Sequence, residues 1–320
     1  MTFADTDLEQ LQRASFAIAY RMLGSVSEAE DVVQEALLRI HQVVEGGEQI
    51  VSPRAYVATV TTRLAINELH SARARREQYV GEWLPEPILT NAEDDPLRQA
   101  EMADSLSMAM LVLFESLSPE QRAALLLHDV FGYGYPEIAR IIGKREGAVR
   151  QLASRARRHL EERRPRFQST SEQRDELLDT FLAAAREGKV ARLEALLAHD
   201  VTLTGDGGGK VPALARPLHG RSRVARTLQA WMRVAARVPG FVLRPTEVNG
   251  GAGVMALAEG ERLISVWSLE IAGGQIRSIR SVVNPDKLSH LGVLADARSL
   301  LSHGVAAADS NTAPQEQPQD

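Results

Sequence analysis

Apolar residues recur at three- to four-residue spacing through the first half of the chain and give way to short alternating runs in the second. Leu8–Leu23, Ser27–Val44 and Pro53–Ala74 carry the helical period, the second opening on the capping-box pattern Ser27-Glu28-Ala29-Glu30. The period fails between Gly81 and Pro96. There Trp83-Leu84-Pro85-Glu86-Pro87 and the acidic Asn91, Glu93, Asp94 and Asp95 cannot form one helix and read as a linker. Helical spacing resumes over Leu97–Phe114. In Ser118-Pro119-Glu120-Gln121 the serine caps a new helix, the proline suits its first turn and the glutamine sits at the reciprocal capping position. Residues 132–150 then predict two short helices joined at Gly143, with Ile138, Ile141 and Ile142 as a buried face and Ala139 at the close approach.

The helix following Gly143 sets Arg150, Arg155, Arg157 and Arg158 against Val149, Leu152, Ala156 and Leu160. One face packs and the other is suited to phosphates and base edges, so DNA is the partner this segment predicts. Pro165, within Arg163–Thr170, ends that unit. Beyond it the pattern gives helices near Glu172–Arg186, Val190–Leu197 and Arg221–Arg237. Strand-like runs follow at Phe241–Val248, Val254–Leu257, Leu263–Ile271 and Ile276–Val283, with a hairpin turn at Gly273-Gly274. Helices followed by consecutive antiparallel strands predict an α+β domain with helices on one face of a curved sheet. The end of the chain, Pro314-Gln315-Glu316-Gln317-Pro318-Gln319, is too polar to fold alone. The divisions expected are 1–79, a linker at 80–103, 104–166, 171–292 and a flexible tail at 293–320.

Composition narrows the classes. The net charge of −5 is the wrong sign for a protein held to DNA by bulk electrostatics, whereas residues 144–166 are strongly basic, so the DNA contact is regional and another partner supplies much of the affinity. The chain has no cysteine, which excludes disulfides and thiolate metal sites. No ligand spacing links the 8 histidines, and no metal or cofactor is expected. The sequence offers no membrane-spanning run or signal peptide, and a cytoplasmic protein, monomeric when free, is the expectation. Arginine outnumbers lysine 33 to 4, and Lys144, Lys210 and Lys287 all fall in turn or loop motifs.

The order of motifs in the first half resembles the bacterial sigma-70 superfamily in its extracytoplasmic-function type. Ala29-Glu30-Asp31-Val32-Val33-Gln34-Glu35-Ala36-Leu37-Leu38-Arg39 resembles its core-polymerase-binding helix. Asp31, Gln34, Glu35 and Leu38 are the residues this implies, and the beta-prime and beta subunits of core RNA polymerase the partners. Arg54-Ala55-Tyr56-Val57 through Ala65-Ile66-Asn67-Glu68-Leu69 resembles the promoter-melting segment, implying Tyr56, Thr62, Arg63, Asn67 and His70 at minus-10 DNA. Tyr56 stands where the family often has tryptophan, and stacking with base-edge contacts is how opened strands are held. Ser118–Leu160 resembles the minus-35-binding domain, implying Lys144, Arg145, Glu146, Val149, Arg150, Ser154, Arg155 and Arg157. Arg145 departs from the serine cap common there.

Trp83-Leu84-Pro85-Glu86-Pro87, Asp206-Gly207-Gly208-Gly209-Lys210 and Asn284-Pro285-Asp286-Lys287 together resemble the ECF41 group, whose members carry a SnoaL-like (NTF2-like) extension. The resemblance implies two all-α sigma domains, the second with a helix-turn-helix, plus an α+β conical barrel that regulates the sigma core in cis in place of a separate anti-sigma protein. It also implies promoters upstream of genes for small oxidoreductase or carboxymuconolactone-decarboxylase-like proteins. The three motifs are expected to meet in an interdomain regulatory contact.

Two rival readings remain open. One is a polymerase-independent helix-turn-helix regulator with a ligand-sensing barrel that holds an unknown small ligand. The other is a barrel enzyme, for which His199, Asp200, Asp206, His219 and Glu270 are the titratable candidates, none at diagnostic spacing. A phosphate loop at Gly205–Lys210 is not expected, because only three residues separate Gly205 from Gly209 and Val211 stands where a hydroxyl is needed.

Overall fold

The computed structural model describes residues 5–47, 50–90, 107–161 and 171–300. They fall into two compact units, one comprising Met1–Gln78 with Ala92–Pro165, the other Tyr79–Asn91 with Arg166–Asp320. The described half of the expected linker therefore folds with the second unit. Residues 91–106, 162–170 and 301–320, which include parts of the expected linker, its following helix and the tail, lie outside the described residues.

In the first unit, α1 (Asp5–Leu23), α2 (Val26–Glu45) and α3 (Pro53–Glu77) pack together. Fully buried Ala19, Ala29, Ala36 and Ala65 let the backbones approach, and Leu11, Ile40 and Val57 close one end of the bundle. The cap of α2 is Ser25, not Ser27. Ser25 holds the extended backbone of a cap, and its hydroxyl accepts from the Glu28 N–H at 3.2 Å.

Helix α4 (Met108–Phe114) is capped by Ser107. Helix α5 (Pro119–Leu125) starts on the expected capping box, with Gln121 N–H to Ser118 Oγ at 3.2 Å and Ser118 N–H to Gln121 Oε1 at 2.9 Å. It runs on into a single π turn, Leu126–Val130, which no periodicity announced. Helix α6 (Tyr135–Ile142) ends at Gly143, whose φ of 67° is the left-handed conformation that favours glycine, and α7 (Glu146–Glu161) follows. Ala124, Leu127, Ile138, Ile141, Val149 and Ala153 form the core of this helix-turn-helix.

Arginines bind the two halves of the first unit to each other's backbone. Buried Arg122 donates to the carbonyls of Met22 and Phe114, both at 2.5 Å, and lies 3.0 Å from Glu115. Arg76 pairs with the same Glu115 and donates to Leu23 O at 2.9 Å. Burial pulls the Arg122 guanidinium below its ordinary value, and Glu115 opposes that shift.

In the second unit, α8 (Ser171–Glu187), α9 (Val190–Leu196) and α10 (Arg221–Ala235) pack with a six-stranded sheet. Its strands are β1 (Leu197–Asp206), β2 (Leu218–His219), β3 (Val242–Val248), β4 (Gly251–Ala258), β5 (Arg262–Ala272) and β6 (Gln275–Val282), in the order β2-β1-β6-β5-β4-β3. The expected α+β architecture is observed, with β3 to β6 consecutive and antiparallel. The pattern had not announced β1 and β2, and β1 runs parallel to β6, with Leu203 opposite Ile279, so the sheet is mixed. Phe181, Leu193, Leu203, Trp267 and Ile279 lie in its core.

The segment after Tyr79 adds to the β3–β4 corner. Leu89 bridges Val248, Thr90 N–H donates to Glu247 O at 3.1 Å, and Asn249 N–H donates to Ile88 O at 2.9 Å. Because Trp83, Trp231 and Trp267, the only tryptophans, all belong to this unit, indole fluorescence follows its unfolding selectively. Ile279→Ala removes a fully buried side chain and is expected to cost the tryptophan-monitored urea transition about 2–5 kcal/mol.

Candidate functional site

On α2, Val32, Val33, Ala36 and Ile40 face the core, which turns Asp31, Gln34, Glu35 and Leu38 outwards. Leu38 is 56 % exposed, an apolar side chain in an acidic stripe, and Glu35 is held to Arg39 at 2.7 Å. The face thus sets one exposed leucine among polar and acidic side chains.

The residues expected to meet opened DNA are sorted by α3 into three environments. Asn67 and His70 are exposed, and Tyr56 is half-buried against the cluster of Leu11, Ile40 and Val57. Thr62 is fully buried and so supports the helix from inside, which removes it from the DNA-facing set. Arg63 is exposed but engaged, its guanidinium donating to Ile141 O at 2.7 Å and Arg140 O at 2.9 Å, carbonyls at the end of α6.

In the helix-turn-helix, Lys144, Arg145, Arg150, Ser154 and Arg155 are exposed and Glu146 is half-buried. Val149 is fully buried in the helix-pair core and cannot reach DNA. Arg157 is clasped by Asp129 of the π turn, with Nε to Oδ2 at 2.8 Å, and by the Tyr135 hydroxyl at 3.3 Å. Asp129 holds the Arg157 guanidinium above its ordinary value. Arg150 donates to Glu146 and stacks over the Tyr135 ring at 4.6 Å. Tyr135 was not singled out by sequence, although an aromatic residue at the start of an otherwise aliphatic helix was a signal.

The second unit brings the three motifs together. Asp206, at the end of β1, is fully buried, and its carboxylate accepts from the Tyr79 hydroxyl (2.5 Å), Leu84 N–H (2.8 Å), Gly208 N–H (3.1 Å) and Lys287 Nζ (2.7 Å). Lys287 donates also to Leu84 O and lies over the rings of Trp83 (4.1 Å) and Tyr79 (4.8 Å). Asn284 donates to the Tyr79 oxygen at 2.9 Å, and Lys210 meets Asp286 on the outside at 2.6 Å. The two loops thus exchange charges twice, once in the interior and once in solvent. Pro85, Glu86 and Pro87 are buried beside this site, and the His290 ring lies 2.8 Å from Pro87 O.

The glycines between the charges are there for close approach. A side chain at Gly207 would strike Val211 O at 2.1 Å, one at Gly208 would strike Asn284 at 2.3 Å, and Gly209 faces Val80 at 3.1 Å. Pro285 turns the chain so that Asn284 Oδ1 accepts from Asp286 N–H. Tyr79 sequence reasoning missed, because it joins the site through a contact 127 positions away along the chain.

The titratable candidates for catalysis are not assembled. His199 and Asp200 are exposed, and Asp200 faces Arg277 at 3.5 Å. His219 faces Thr202 at 3.2 Å, Glu270 pairs with Arg280 at 3.1 Å, and Asp206 is consumed by the site just described.

A three-helix bundle with an exposed acidic stripe, joined to a helix-turn-helix, defines a sigma-70 type protein. Sigma-70 region 2 matches residues 8–75 and Sigma-70, region 4 matches residues 107–160. The ECF RNA polymerase sigma factor SigJ of Mycobacterium tuberculosis H37Rv is 34 % identical over 294 residues, spanning 89 % of this chain and 93 % of that protein. The probable ECF RNA polymerase sigma factor SigI of the same organism is 31 % identical over 86 % of the chain and 91 % of its own length. The crystal structure of M. tuberculosis SigJ superposes with a TM-score of 0.72 at 32 % identity, covering 89 % of this chain and 98 % of that one. The chain belongs to the extracytoplasmic-function RNA polymerase sigma factors, a family of transcription factors. No described helix is long and apolar enough to cross a membrane.

Two predictions test the buried site. Asp206→Ala strands Lys287 in the interior and is expected to cost about 3–5 kcal/mol in the tryptophan-monitored transition, with Asp206→Leu/Lys287→Met costing less. Burial and then Asp206 push the Tyr79 phenol well above its ordinary 10.0. The folded state therefore keeps a proton that the unfolded state loses above about pH 10, so stability falls as pH rises past that value. Tm measured from pH 8 to 11 is expected to fall more steeply for the wild type than for Tyr79→Phe.

Proposed function

We propose that this chain directs core RNA polymerase to specific promoters and that its second unit governs that activity in cis. In this reading the Asp31, Gln34, Glu35 and Leu38 face of α2 docks on core polymerase, α3 handles the minus-10 strand through Tyr56, Asn67, His70 and a released Arg63, and α7 meets the minus-35 element. The observation that carries the regulatory part is the buried Asp206–Lys287 pair, closed by Tyr79, Trp83 and Leu84. Tyr79, Trp83 and Leu84 lie on the stretch of chain that joins the two halves assigned here to the promoter.

The consequence is geometric. Of the connector from Gln78 to Ser107, about 100 Å when fully extended at about 3.4 Å per residue, only the part from Thr90 onwards, about 60 Å at full extension, stays free to adjust once Tyr79–Thr90 is held. Holding the segment restricts how far apart the two halves can work, and releasing it restores their reach.

Run-off transcription with purified core polymerase tests the reading. The full chain and a variant ending after Arg166 are compared on the promoter upstream of the gene's neighbour. Start-site-specific transcript that depends on the added protein is expected, with different yields from the two variants. Leu38→Arg is expected to lower transcription at least tenfold without lowering Tm. No transcript from either form, together with tight binding to duplex DNA without polymerase, would contradict the reading.

A further inference from the structure

The face of α7 that points away from the protein is not the one carrying Arg150 and Arg157. At about 3.6 residues per turn, the side opposite buried Val149, Ala153, Ala156 and Leu160 holds Gly147, Gln151, Ser154 and Arg158, and all four are exposed. Glu146, Arg150 and Arg157 lie on one flank and are bonded inside the domain, to one another, to Tyr135 and to Asp129. Those arginines fix the pose of the helix and are poorly placed to read bases.

Gly147 is the anomaly. Glycine is disfavoured in a helix relative to alanine, and no left-handed backbone requires it here. A Cβ at Gly147 would meet nothing within 4 Å among the described residues. No packing demand among the described residues accounts for a bare backbone at this point, whereas a partner that approaches the first turns of α7 closely would. A major groove about 12 Å wide barely admits a helix about 10–12 Å across with its side chains, so a missing side chain on the leading face deepens insertion. One turn further on, Gln151 presents a planar amide with a donor and an acceptor side by side, the pattern that pairs with N7 and N6 of adenine.

We propose that Gln151 is the base-reading residue of α7, taking an adenine in the minus-35 element, and that Gly147 lets the helix backbone enter the groove far enough for it to do so. The proposal rests on the promoter-directed function above. Arg158 and Ser154 flank Gln151 on the same face and serve phosphates and neighbouring edges.

The test uses the full chain assembled with core polymerase and promoter fragments whose minus-35 segment is randomised. Wild type, Gln151→Ala and Gly147→Ala are each taken through binding selection, and Tm is recorded for each. The wild type is expected to enrich adenine at one position, and Gln151→Ala to lose that preference by roughly 5- to 150-fold while keeping the others. Gly147→Ala is expected to melt no lower than the wild type yet bind every selected sequence at least tenfold more weakly. Gln151→Ala retaining every preference, or Gly147→Ala binding as tightly as the wild type, overturns the proposal alone. A wild-type complex that enriches no sequence overturns the promoter-directed reading with it.

Discussion

A carboxylate with no exposure to water survives only where donors replace its hydration, and the second unit is organised around meeting that demand for Asp206. Two of its four donors are backbone N–H groups and two are side chains, and they come from three separate stretches of chain. Tyr79 is 127 positions from Asp206, and Lys287 is 81. Each donor reaches the carboxylate only if its own loop is in register. That is why the glycines beside Asp206, the Asn-Pro turn before Lys287 and the proline-flanked segment after Tyr79 occur in one molecule. Removing either charge alone leaves the other stranded, whereas filling the same volume with apolar side chains strands neither.

The first unit uses charge differently. Arg122, Arg76 and Arg63 are aimed at carbonyls of Met22, Phe114, Leu23, Arg140 and Ile141. A guanidinium can serve two acceptors in one plane, so an arginine-rich sequence can join helix ends without adding apolar surface. Joints of this kind resemble separable interfaces more than a core. Lys287 shows the opposite choice: a compact ammonium fits between a carboxylate, a carbonyl and two aromatic faces where a fork would not.

The legible parts of the chain were those whose signal is local. Ser118 and Gln121, Gly143, the Gly273-Gly274 turn and the helical stripes each announce their conformation within a few residues. Strand β1 escaped because exposed His199 and Asp200 interrupt its apolar run and the register shifts between Leu197 and Thr202. The π turn escaped because its 5 residues, Leu126–Val130, are too few to establish a period of their own. The motifs around Trp83, Asp206 and Lys287 were visible as oddities of composition, but Tyr79 completes their site through a long-range contact that no spacing encodes. Thr62 and Val149 were read as DNA-facing by residue type and place in a motif, and burial decided otherwise. Arg157 had the right chemistry for DNA, but Asp129 in the unforeseen π turn had already claimed it.

The two ion pairs between the glycine loop and the Asn-Pro turn share the same two motifs and differ in what can break them. Lys210 and Asp286 are 55 % and 61 % exposed, so salt screens their attraction and water competes for both groups. Lys287 and Asp206 are 7 % and 0 % exposed, and salt reaches neither. Loss of the outer pair therefore leaves the segment that begins at Tyr79 still held. Its release requires Trp83, Tyr79 and Leu84 to leave together, because each covers the charge or the backbone group that another needs. A contact of that construction is cooperative: ionic strength adjusts its edge, and only a change that lifts the whole segment opens it.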